Sequence, residues 1–176
     1  MLKQFLKPLV ALTGLFLSPV AQAQPACNLG SLQGDYAFTA QGAVLGTIDA
    51  AKVVHPFPAP QPINTVAVVT FHGNGTLERL AFTVANGQPQ VAQPPSDDGF
   101  LPIQTGTYSV SDECTGTMHL VIPGANNAHT TLDLALVLVD FGQRIFAVVS
   151  SEVVPVVGAL AVNVSAEMTR NVPRRR

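Results

Sequence analysis

Residues 65–85 read TVAVVTFHGNGTLERLAFTVA, and the reading of this stretch decides the fold. β-Branched and aromatic residues recur at alternate positions on both sides of His72-Gly73-Asn74-Gly75. Asn-Gly is the strongest short hairpin signal, because both residues accept the positive φ that a tight primed turn needs. Strands over 65–72 and 76–85 therefore lie side by side and antiparallel.

The same period-two grammar extends outward in both directions. It predicts strands over 35–45, 47–54, 104–111, 116–122, 130–139, 144–150 and 159–169, with no convincing amphipathic helix among them. Asp140-Phe141-Gly142-Gln143 and Ser111-Asp112-Glu113 read as further tight turns. Short links favour an up-and-down order, and eight or nine strands of this length close a small cylinder. The expected fold is thus all-β: a single antiparallel up-and-down β-barrel of about eight strands. Two stretches stand apart. Residues 55–62 (HPFPAPQP) and 87–102 (GQPQVAQPPSDDGFLP) are proline-rich, which predicts loops of extended or polyproline character.

The N-terminus reads as a targeting segment. Lys3 and Lys7 form a basic region, residues 9–20 are apolar, and Ala21-Gln22-Ala23 offers the small-x-small pattern of signal-peptidase cleavage. The apolar stretch is short for a bilayer span, preceded by Pro8 and interrupted by Pro19. Residues 1–23 are expected to be a cleaved signal peptide. Residues 24–176 then form the barrel domain with a short basic tail, Arg174-Arg175-Arg176, in a secreted or periplasmic protein without stable membrane insertion. The two cysteines, Cys27 and Cys114, are most simply a disulfide in such a compartment. Closing so long a loop is worth roughly 4 kcal/mol in the chain-entropy model.

Charged residues are 11% of the chain against 47% hydrophobic, and the net charge is −2. That balance argues against nucleic-acid binding, which needs a broad basic surface. The alternation phases the strands: Tyr36 with Phe38, Leu80 with Phe82 and Val84, Tyr108 with Val110, and Met118 with Leu120 and Ile122 make the apolar faces. Tyr36, Phe38, Phe82, Tyr108 and Met118 are accordingly expected to line an interior that takes a small hydrophobic or amphipathic guest. In the last strand Val162, Val164, Ala166 and Met168 face inward. That phase carries Arg170 to the inner side, where a guanidinium stacked on Tyr36 would close the barrel end. Residues 132–139 are apolar on both faces, and a second copy of the chain is one source of cover for the outer one.

Leu32-Gln33-Gly34-Asp35-Tyr36, together with an arginine ending the last strand, resembles the closure of calycin barrels. Lipocalins in that superfamily carry Gly-x-Trp opposite such an arginine; here Tyr36 takes the aromatic position. Gly106-Thr107-Tyr108, Cys114-Thr115-Gly116-Thr117 and Phe71-His72-Gly73-Asn74-Gly75 are similar to exported barrels of the allene oxide cyclase-like type. The resemblance implies the barrel, and by itself neither lipid binding nor cyclisation.

Catalytic signals are thin. His55, His72, His119 and His129 form no local metal-ligand pair, so no metal or cofactor is expected. Serine elbows and phosphate-cradling loops are absent from the sequence. Glu78, two residues before Leu80, is the one acid whose phase follows an inward set. Three functions fit these readings: a ligand-binding barrel without catalysis, a cyclase or isomerase acting on an apolar substrate, or a structural or interaction protein.

Overall fold

The computed structural model of the chain describes residues 26–90, 98–124, 126 and 128–171. The expected signal peptide and the Arg174-Arg175-Arg176 tail lie outside them. Nine strands follow in order: β1 (Gln33–Ile48), β2 (Val54–His72), β3 (Thr76–Ala85), β4 (Gln88–Pro89), β5 (Gln104–Val110), β6 (Thr115–Pro123), β7 (His129–Val139), β8 (Arg144–Val154) and β9 (Gly158–Arg170). All pairings are antiparallel. Each strand pairs with the next, except that β3 bypasses the two-residue β4 to reach β5, and β9 returns to β1. The result is a closed up-and-down barrel of eight strands, with β4 an extra strand on the edge of β3.

Apart from the short β4, which falls inside the second proline-rich stretch, two elements differ from the sequence expectation. Residues 35–45 and 47–54 were expected as separate strands, but β1 runs unbroken through Gly46. A Cβ at Gly46 would collide with the His55 carbonyl, so this glycine serves close strand approach and makes no turn. The reversal comes later, where the Asp49 carboxylate accepts from the Val53 N–H (2.9 Å) and Lys52 adopts a φ of 65°.

The proline-rich stretch 55–62 is part of β2 and is not a loop. Here β2 pairs with β1 on one side only, since its ladder with β3 begins at Ile63. Proline is tolerated along such a free edge, where a missing N–H leaves no ladder bond unmade. The register passes from Val44–Gln61 to Gly46–Pro56, so residues 57–60 bulge out of the pairing.

One half of the barrel is filled solid. Tyr36 and Phe71 meet edge to face at 5.1 Å, and Phe71 meets Tyr108 likewise at 5.0 Å. Leu32, Leu77, Met118, Ile145 and Met168 are fully buried in the same cluster. A short 3-10 turn, Leu29–Ser31, caps this end. The Tyr108 hydroxyl ties it down by donating between the carbonyls of Leu29 (2.9 Å) and Leu32 (3.0 Å). The Cys27–Cys114 disulfide fastens the cap to the β5–β6 turn.

Candidate functional site

Beyond that filled half, the interior opens into a cavity of about 180 Å³. Its walls are largely aliphatic: Ala40, Ile63, Leu132, Leu134, Val149 and Val164 among them. At its inner end sits Arg79 of β3, only 4% exposed. Arg79 Nε donates to Gln104 Oε1 of β5 at 2.6 Å, and the guanidinium carbon lies 5.4 Å from the centre of the Phe38 ring. Thr65 and Thr83, buried and hydrogen-bonded to each other at 3.0 Å, add two hydroxyls to the wall. Across the cavity stands the half-buried Glu152 of β8.

Local sequence explains how each group arrives. On β3 the inward residues are Leu77, Arg79, Ala81 and Thr83. Cross-strand partners share a face, and these four oppose Phe71, Val69, Ala67 and Thr65 of β2. Gln104 opposes Arg79 at the last rung of the β3–β5 ladder. Above it the wall is carried on by lone bonds, from Leu101 N–H to the Ala81 carbonyl and from Gln90 N–H to the Thr83 carbonyl (both 2.8 Å).

Glu152 owes its direction to a β-bulge. Leu134 pairs with Val149 but Asp133 pairs with Ser151, leaving Ser150 as the extra residue. The inward series Ile145, Ala147, Val149 therefore resumes at Glu152 and Val154.

Burial shapes the electrostatics. Desolvation pulls the Arg79 pKa down to about 10, against the opposing pull of Glu152. The group is therefore still a cation at neutral pH. Desolvation also pushes the Glu152 carboxyl above its ordinary value, partly offset by Arg79. The two make no ion pair within 4.0 Å among the contacts of the described residues. Gln104 is fully buried, and its Nε2 has no hydrogen-bond partner there.

The residues singled out from sequence divide between several places. Phe38 borders the cavity. Tyr36, Tyr108 and Met118 are buried in the filled half, and the Tyr36 hydroxyl donates to the Gly142 carbonyl at 2.6 Å. Phe82 corrects the phase assigned to β3: it lies on the outer face, edge to face with Phe100 at 5.8 Å. Leu80 is likewise outside, and Glu78 is exposed to solvent with them. Arg170 is half-buried and pairs with Tyr36 across the β1–β9 seam, where its charge lowers the Tyr36 pKa while burial raises it more. The cation–π contacts of the described residues belong instead to Arg79 on Phe38 and Arg144 on Phe146. Sequence reasoning missed Arg79, Gln104 and Glu152. Arg79 follows from the alternation once β3 is phased by its partners, and Gln104 from the inward phase of Tyr108 on β5; no local signal marks the Ser150 bulge.

Elsewhere, His119 Nδ1 lies 2.6 Å from the Asp133 carboxylate on the outer face. No cluster of three or more His, Cys, Asp or Glu side chains suited to a metal ion occurs among the described residues. No described helix is long and apolar enough to cross a membrane. Comparison with protein families, curated proteins and solved structures finds no match to this chain.

Proposed function

We propose that this chain is an exported carrier or receptor that holds one compact amphipathic molecule inside its barrel. The observation that carries the reading is the division of the interior. One half is filled by a cluster of buried side chains, while the other keeps a cavity with largely aliphatic walls and a few polar groups, the composition that small-molecule sites share. Barrels of eight strands have interiors of about the width that holds a single small ligand. Export is supported by the Cys27–Cys114 disulfide, a bond that persists in oxidising compartments. The closed meander, with Tyr36 beside Arg170 at the seam, also agrees with a calycin-like barrel.

The test is ligand-induced stabilisation. A ligand at a hundredfold its Kd raises folding stability by about 2.7 kcal/mol, which thermal melting detects readily. Small amphipathic compounds should raise the melting temperature of the mature chain. Ala40→Phe, which fills the cavity from β1, should abolish that response while leaving the strand circular dichroism intact. A melting temperature unmoved by any member of a saturating panel of such compounds would overturn the proposal.

A further inference from the structure

Arg79 makes little sense as a purely structural residue. A guanidinium carries five N–H donors and no acceptor. Gln104 takes one of them, and the remaining N–H groups make no hydrogen bond to the described residues. The Phe38 ring helps to hold the cation, but a ring face does not accept hydrogen bonds as an oxygen does. The side chain borders the cavity, the space a guest would fill. Buried charge of this kind calls for a partner of opposite sign.

Resting on the reading of the cavity as a ligand site, we infer that the guest is a singly charged carboxylate that enters head first and docks on Arg79. The planar fork of the guanidinium matches two carboxylate oxygens at once. One cation balances one negative charge, and the facing Glu152 disfavours a more highly charged head group. The order of residues along β3 sets the orientation: Leu77 belongs to the filled half, Arg79 to the cavity floor, and Thr83 to the outer wall. The tail would then lie among Ile63, Leu101, Ile122 and Val154, away from the charge. A cavity of about 150 Å³ is known to hold benzene, so this one suits a molecule on the order of ten non-hydrogen atoms.

Glu152 gives the assignment an internal control. Arg79 and Glu152 are the titratable groups among the described residues that border the cavity. An ionised Glu152 repels an incoming carboxylate, and a neutral one does not. Carboxylate binding should therefore strengthen as the pH falls from neutrality until the ligand itself protonates, and Glu152→Gln should bind more tightly wherever Glu152 is ionised.

Octanoate, 1-octanol and octylamine differ in the head group alone and serve as probes. Calorimetric titration at neutral pH should find octanoate bound at least tenfold more tightly than the other two. The advantage should vanish in Arg79→Met, checked as folded by circular dichroism, and should grow several-fold in Glu152→Gln, which leaves Arg79 in place. Octanol binding as tightly as octanoate would overturn the carboxylate assignment while leaving the cavity reading intact. A preference for octylamine would make Glu152 the anchor and overturn it too. Binding by none of the three would sink the assignment together with the cavity reading on which it rests. Should Arg79→Met fail to fold, the wild-type ranking and the Glu152→Gln response decide the matter alone.

Discussion

At the scale of single residues, Glu152 reports on the cavity without any ligand. Its folded pKa is raised, so the folded chain holds that proton more tightly than the unfolded chain does. Linkage then fixes the sign: the contribution of this group to stability is fully present below its unfolded value and is lost as the pH rises through the folded one. Glu152→Gln removes the ionisation, so its melting temperature should gain on wild type as the pH climbs from 4 toward 7. A constant difference across that range would show that Glu152 faces water. Arg79 and Gln104 were legible in principle, since both lie in period-two strands. Arg79 is hidden because β3 carries apolar residues on both faces, and hydrophobic phasing chooses Leu80, Phe82 and Val84 over Leu77, Arg79, Ala81 and Thr83; Gln104 shares the inward phase of Tyr108 on β5 and is hidden only by being polar. Glu152 was not legible, because alternation counted from Ile145 points it outward until Ser150 is known to bulge.

The individual strands show why pairing, and not hydrophobicity, sets the inner face. Val66 and Val68 of β2 are 51% and 46% exposed, and their partners on β3 are Phe82 and Leu80. These four make an apolar strip outside the barrel, while the polar Thr65, Thr83 and Arg79 lie within it. The hairpin at Asn74-Gly75 could be read from residues 65–85 because its turn chemistry is local. The phase could not, since it depends on contacts with β1 and β5. Substitution separates the two faces. Leu80→Thr should change stability by no more than about 0.5 kcal/mol, as surface changes usually do. Ala81→Leu forces extra volume against a fully buried position and should cost about 1–3 kcal/mol. Urea unfolding measures both, and the opposite ranking would restore the inverted phase. The prolines of β2 teach a related lesson: they forbid a central strand, yet they sit without penalty where β2 has lost β3 as a neighbour.

Across the whole molecule, the two halves of the barrel have different tasks, and the disulfide belongs to the closed one. Cys27 and Cys114 are 87 residues apart in sequence, and their bond holds the Leu29–Ser31 turn over the Tyr36–Phe71–Tyr108 stack. Cleaving it releases that long loop in the unfolded chain, which the loop-entropy argument values at about 4 kcal/mol. For a domain of this size that corresponds to a melting temperature lower by about 10 °C. The cost should fall on the capped end. Once the turn is free, the carbonyls of Leu29 and Leu32 no longer hold the Tyr108 hydroxyl. Tyr108→Phe should therefore destabilise the oxidised chain by about 1 kcal/mol and the Cys27→Ser, Cys114→Ser chain by much less. The cavity lies at the far end and neither cysteine lines it, so a ligand that binds the oxidised protein should bind the cysteine-free one with similar affinity below its melting temperature. Equal Tyr108→Phe effects in the two backgrounds, measured by urea unfolding, would mean that the cap stays in place without its covalent tie. A Kd that weakened with the disulfide would mean that the closed half and the open half are one cooperative unit.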